Sequence, residues 1–567
     1  MFLQRLIEYA ERLNLPPTLY SEAPVRYIID LDRNGRLLSR SPTDTADPSG
    51  KRTQNGQRRL VPRVKRSSAV RPFLMSDNAV YTLGVVRTGK VAAREQACHP
   101  AYLEQLRRCA AQTGEPSIHA ILAFFENGTH MDLILSDDPP SGANITFRVA
   151  GVLPIDLPVV QAWWAGENAT DAEGSDAPTM QCLVCGQQRR VLRRLKQNIK
   201  GIPGGHASGT SIISANAEAF ESYGLHASLI APICSPCAEG MTRALNDLLD
   251  GPTTHLTFGD NSIFVCWTRQ ETNIPFLELL TKPDPADVQT LLRSVYGKPA
   301  PSVEANRFYA ALLSARRVRA VLRAWIDATL PEIQHSLTDW FKRQSIIGEW
   351  GDPPEPLGLY TLAEATVRDR KEIAPQTYKA LLTSALQGYP LPTNLLNQTV
   401  QRTHADQDVT RKQAALIKLV LLSQTNASQK EDTMVQLDEN NIQPAYLCGR
   451  LLAVLESAQR AAIPEAKATI VDRYYGTAST APATVFGMLL QGAQSHLGKL
   501  ERDKPGAYQA IQQRLEEVMA GLQGFPRVLN LQEQALFALG YYHQRAEHRA
   551  GIKAAVANKA TAAESNV

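Results

Sequence analysis

Two pairs of cysteines, Cys182-Leu-Val-Cys185 and Cys234-Ser-Pro-Cys237, bracket residues 186–233 of this chain. Each pair sets two thiols on one tight turn, and two such turns supply the four soft ligands of a closed tetrahedral zinc site. The alternative for a CxxC, a redox pair, lacks its usual sequence surroundings here. The spacing therefore predicts a structural zinc held by Cys182, Cys185, Cys234 and Cys237, with no open position for water or substrate.

The excursion closed by the metal is basic. It carries Arg189, Arg190, Arg193, Arg194, Lys196 and Lys200, then a glycine loop, Gly201 to Gly209, that includes His206. The loop lacks the order of a Walker phosphate loop and reads as a turn that lets backbone approach a partner. This places function on the excursion, with the metal as its clasp.

At 567 residues the chain is long enough for several domains, and 44% hydrophobic with 20% charged residues is ordinary globular composition. A net charge of +4 names no partner, so its distribution matters. Between positions 51 and 71 the charged residues are all basic: Lys51, Arg52, Arg58, Arg59, Arg63, Lys65, Arg66 and Arg71. Such a run is either a solvated face or a phosphate-contacting segment. The best candidate for a membrane span, Ala414 to Leu422, is broken by Lys418 and is too short to cross a bilayer. The N-terminus reads as an amphipathic helix without signal-peptide order, so a cytoplasmic protein with no membrane partner is expected. Cys98, Cys109, Cys266 and Cys448 lack partner spacing and read as packing residues.

The fold class expected is α+β: a mixed N-terminal region, a zinc-stapled α/β segment, and an all-α C-terminal bundle. The divisions are 1–170 with the basic loop, 171–280 with the cysteines, 281–355 as a helical connector and 356–567 as the bundle. In the first, Tyr27 to Leu31 is a strand turning at Asp32 to Gly35, Ser39 to Arg71 a long surface loop or partly disordered, and Ala101 to Gln112 a helix. Ile118 to Phe125, Met131 to Leu135 and Asn144 to Val149 read as strands, and Ser262 to Trp267 as a strand beyond the cysteines. Helices are expected at 287–296, 306–329, 331–347 and 376–387. The second would carry Arg316, Arg317, Arg319 and Arg323 beside Trp325, on one reading only a solvated face. Pro444 opens a helix with an apolar stripe at Ala445, Cys448, Leu452 and Leu455, and further helices follow to His548, with a disordered tail from Ala557. No nucleophile with its base, HExxH pair or carboxylate cluster emerges, and no enzyme activity is expected.

Several signatures occur in order along the chain: Ser76-Asp-Asn-Ala-Val-Tyr-Thr-Leu-Gly84, the Cys182 motif, Lys200-Gly-Ile with Ser208 to Asn216, Ala219-Phe-Glu-Ser-Tyr-Gly224, Arg473-Tyr-Tyr-Gly476, and Asn530 to Arg545. In these the chain resembles the large subunit of the type I-C CRISPR surveillance complex, or Cascade, the subtype once labelled Dvulg. The zinc rests on the cysteine spacing more than on this resemblance.

The resemblance implies a non-catalytic subunit of a guide-RNA-bound complex. It would bind near the 5' end of the guide, beside the backbone and 5'-handle-capping subunits, and read the short flank (PAM) of double-stranded target DNA. Its C-terminal bundle would line the displaced strand of the R-loop and help recruit the helicase-nuclease. The family also makes a small subunit from an internal start, for which Met434 is the candidate. The basic run and Arg193, Arg194, Lys196 and Lys200 would then contact phosphates. Asn78 would either read a minor-groove edge or cap the helix that follows it. The rival readings are a free-standing zinc-stabilised DNA-binding protein and a metal-dependent nuclease.

Overall fold

The computed structural model describes residues 2–13, 17, 19–46, 56–64, 70–85, 92–134, 144–168, 177–195, 199–215, 217–259, 262–294, 305–424 and 434–564. The fold is α+β, and its C-terminal region is all helix. The chain divides into two compact units, Met1–Ile199 with Ser211–Asn246, and Lys200–Thr210 with Asp247–Val567.

The first unit is built on the long strand β1 (Tyr20–Leu31). Asp32 ends it, accepting from the N–H groups of Asn34 and Arg36 through Oδ1. Gly35 completes the turn with φ 78°, where a Cβ would lie 2.3 Å from the Ala120 carbonyl oxygen, so only glycine fits. One edge of β1 is shared by β2 (Thr43–Asp44) and β3 (Gln57–Pro62), both antiparallel to it. Part of the basic stretch expected to be loop is therefore strand. The exposed edge of β1 supplies the partner groups that local composition does not reveal. Beyond lie β4 (Ser76–Asn78) and β5 (Asn144–Val149), the latter parallel to β1, giving the order β2-β1-β5-β4.

The helices Ala92–Thr113 and Pro116–Glu126 connect these strands and pack in their core. Tyr102, Leu106, Ile121, Phe124, Phe147 and Trp164 are fully buried. The second helix corrects the strand reading of Ile118 to Phe125. A short apolar run fits either structure, and here Pro116 in the first turn and the Glu115 side chain accepting from the Ser117 N–H start a helix. Thr129–Asp132 is likewise a single 3-10 turn and not a strand; residue 135 lies outside the described residues.

The cysteine segment holds β6 (Thr179–Gln181) and β7 (Gln188–Arg190). In the second unit, β8 (His255–Phe258), β9 (Ser262–Thr268), β10 (Arg307–Arg316) and β11 (Arg319–Thr329) form an antiparallel sheet in the order β11-β10-β9-β8. The helix expected over 306–329 is thus a hairpin. Phe308 to Leu313 is buried on every residue, a pattern that cannot separate a central strand from a buried helix. The turn lacks glycine, asparagine and proline: Arg317 takes a left-handed φ of 56° instead. One hydrophobic core runs from Phe258 on this sheet through the helices Leu330–Gln344, Pro375–Gln387 and Arg411–Gln424 to Tyr542.

The helix Pro444–Ala462 is the axis of the C-terminal bundle. The expected stripe is buried, but so is most of the rest of its circumference, because the helices Val471–Thr480, Pro482–Asp503, Pro505–Ala520 and Leu531–Glu564 surround it. The last helix continues through the tail read as disordered, as far as Glu564, in a sequence rich in alanine. Among the described residues no helix is long and apolar enough to cross a membrane.

Candidate metal centre and basic surface

The cysteine segment is held together before any metal is considered. β6 (Thr179–Gln181) and β7 (Gln188–Arg190) pair antiparallel. The turn between them closes with the Cys182 N–H on the Gln187 carbonyl and the Gly186 N–H on the Cys182 carbonyl, each 2.9 Å, with Gly186 at φ 72°. The second pair stands at the start of the helix Ser235–Asp250, where Cys234 precedes the helix and Cys237 lies in its first turn. An antiparallel bridge between Val191 and Cys234, and the Leu183 N–H on the Pro232 carbonyl, draw the two turns together.

The four sulfurs all lie within 4.8 Å of one another, with Cys185 and Cys234 3.9 Å apart. Zinc–thiolate bonds of about 2.3 Å would put the sulfurs about 3.8 Å apart at the corners of a tetrahedron. Cys182, Cys234 and Cys237 are buried and Cys185 is exposed. The Cys234 thiol is drawn down, chiefly by the hydrogen bond from Cys237, and Cys237 is pushed up by the same bond and by burial. Packed this closely, the sulfurs cannot all ionise unless a cation offsets their mutual repulsion. The donor set and spacing fit a closed, thiophilic metal site.

Around this centre, Arg193 and Arg194 follow β7 and are exposed. The Arg193 carbonyl accepts from the Ser228 N–H, which fixes the backbone beneath both side chains. Lys200 is exposed and belongs to the second unit. The Ala219–Gly224 signature forms a turn in which Glu221 accepts from the Ala227 N–H and pairs with His226 at 2.7 Å, leaving Tyr223 98% exposed.

The residues of the basic run have different surroundings. Arg58 is exposed on β3 and pairs with Glu22 at 3.2 Å, a contact open to solvent. Arg59, next on the strand, is half-buried and reaches Gln57. Arg63 donates to the Ser76 carbonyl at 2.8 Å and stacks on the Phe73 ring at 4.4 Å, and Arg71 donates to Asn168. Lys51, Arg52, Lys65, Arg66 and Lys196 lie outside the described residues. Of the two readings of Asn78, the cap is observed: its Oδ1 accepts from the N–H groups of Val80 and Tyr81.

The sheet brings distant parts of this surface together. Gln57 pairs with Val25, Val25 with Asn144, and Asn144 with Asn78, so the start of β3 and the end of β4 share one row across the sheet. Three strand spacings put them about 14 Å apart. Pairing register alone reveals this juxtaposition. Sequence reasoning also missed the structural work of Arg63, for which Phe73 ten residues on is the only local signal.

A family model described as CRISPR-associated protein (Cas_Csd1) matches residues 5–549. No curated protein matches the chain.

Proposed function

The chain belongs to the Cas_Csd1 family of CRISPR-associated proteins, and from that premise we propose that it is the non-catalytic large subunit of a type I-C guide-RNA surveillance complex. In this reading the first unit reads the flank of double-stranded target DNA and aids duplex opening, while guide pairing reads the target itself. The observation that carries it is the shared row of Gln57 and Asn78. Arg58, next to Gln57 on β3, meets the phosphates, with Arg59 and the preceding Lys51 and Arg52 contributing charge. Asn78 spends Oδ1 on its cap, so its Nδ2 donates to the acceptors of a minor-groove edge.

The cysteine cluster holds zinc as a structural staple that fixes Arg193 and Arg194 beside the guide's 5' end and the neighbouring subunits. The C-terminal bundle contacts the displaced strand and the helicase-nuclease. A start at Met434 would yield residues 434–567 as a small subunit; the helix Pro444–Ala462, buried by the helices that follow it, supplies the core such a polypeptide needs.

The test is the affinity of the guide-loaded complex, with and without this chain, for matched duplexes with a randomised flank at fixed salt. Discrimination among flanks should require the chain and weaken in Arg58→Gln/Arg59→Gln. Equal discrimination without the chain would reduce its role to scaffolding or recruitment, and metal-dependent cleavage by the purified chain would favour the nuclease reading.

A further inference from the structure

The β10–β11 hairpin of the second unit turns at Arg317 and Val318. Arg317 has a φ of 56°, a conformation that glycine adopts freely and that a residue with a Cβ resists. The glycine loop holds it there. The Arg317 N–H donates to the Gly204 carbonyl at 3.2 Å, and its carbonyl accepts from the His206 N–H at 2.8 Å. Gly204 itself has φ 76°, and a Cβ there would lie 2.8 Å from the Ala315 carbonyl oxygen. Two segments distant in sequence thus converge to present an arginine where the backbone would be easier with glycine.

The two segments that meet here carry charge of one sign. Residues 308–326 contain Arg316, Arg317, Arg319 and Arg323 and no acidic residue, and residues 200–210 contain Lys200 and none. Asp327, the next carboxylate along the strand, pairs with Arg307. Arg316 and Arg317 are exposed, as is His206. Beside them Val318 and Leu322 are 46% and 41% exposed. Guanidinium groups interleaved with exposed aliphatic side chains suit a strand whose phosphates and base faces are both accessible, as they are when the bases are unstacked in a single strand.

We propose that the Arg316–Arg319 hairpin tip, braced by the Gly201–Gly209 loop, is a binding site for single-stranded nucleic acid. The family supplies only the choice of nucleic acid as the polyanion; the site does not depend on flank reading by the first unit.

The strained turn gives the test its control. In the full-length chain without guide, binding of a labelled single-stranded oligothymidylate is followed by fluorescence anisotropy across a salt series. Arg316→Gln/Arg317→Gly should flatten the slope of log K against log salt by about 1.4, two contacts at about 0.7 each. Arg317→Gly should melt no lower than the parent, because glycine relieves the left-handed residue. Arg316→Lys/Arg317→Lys should keep the parent slope. Parent-like affinity and slope in the neutral variant would overturn the proposal, as would a loss confined to a duplex probe. Unaltered flank discrimination in Arg58→Gln/Arg59→Gln would count against flank reading and leave this result untouched.

Discussion

Replacing Gly540 by alanine should destabilise the C-terminal bundle, although alanine is the better helix former. The helices Pro444–Ala462 and Leu531–Glu564 cross so closely that a Cβ at position 540 would lie 2.1 Å from the Tyr446 carbonyl oxygen. A relaxed carbon–oxygen contact is about 3.3 Å, so the helices must part by about 1 Å. Parting them strains the bonds that join them: Tyr446 Oη to His543 Nδ1 at 3.0 Å, Arg450 Nε to Gln544 Oε1 at 2.9 Å and Tyr541 Oη to Glu456 Oε2 at 2.7 Å. Overpacking costs about 1–3 kcal/mol and the weakened bonds about 1 more. The gain in helix propensity returns about 1. The net loss is about 1–3 kcal/mol. Gly492, exposed on the helix Pro482–Asp503 with nothing within 4 Å of its would-be Cβ, is the matched control. There alanine should stabilise by about 0.5–1 kcal/mol. Urea unfolding followed by circular dichroism should move the two midpoints in opposite directions. A Gly540→Ala protein as stable as the parent, or stabilised like Gly492→Ala, would refute the close crossing.

Elemental analysis of the reduced, purified chain should find one zinc, and Cys182→Ser or Cys237→Ser should abolish it and lower stability by several kcal/mol; a metal-free parent with an unchanged melt would remove the staple. His543 is fully buried and its imidazole is pushed down to about 3, chiefly by desolvation and then by the charge of Lys418. Its folded form stays neutral while the unfolded chain takes up a proton below about 6.5. Stability from this group is therefore intact above 6.5 and is lost as pH falls toward 3, by up to about 1.4 kcal/mol per unit. Urea midpoints across that window should show the slope, and His543→Gln should flatten it. Arg63→Ala should cost about 1–3 kcal/mol through the lost Phe73 stacking and Ser76 bond, whereas Arg58→Gln should stay within about 0.5 of the parent. Equal melts for the two would mean that Arg63 is as free as Arg58.

The sequence by itself determined the features whose cause is local. Cysteine spacing fixed which thiols could share a metal, because a CxxC turn sets two sulfurs side by side whatever surrounds it. Pro444 and the apolar repeat after it fixed the central helix, and Asp32 to Gly35 fixed a turn. Tertiary structure decided whatever depends on a partner. Ile118 to Phe125 and Phe308 to Leu313 are both short apolar runs; one became a helix and the other a strand because one follows a cap and the other lies between paired strands. Strand β3 hid in a basic stretch because its reason to be a strand is the edge of β1. The same holds for the sites. Net positive charge near residue 60 was legible, but Arg58 at the surface and Arg63 folded onto Phe73 differ only in what the backbone places beside them. Arg317 was legible as charge and not as a hairpin tip, since its left-handed turn is imposed by hydrogen bonds from a loop more than a hundred residues away in sequence.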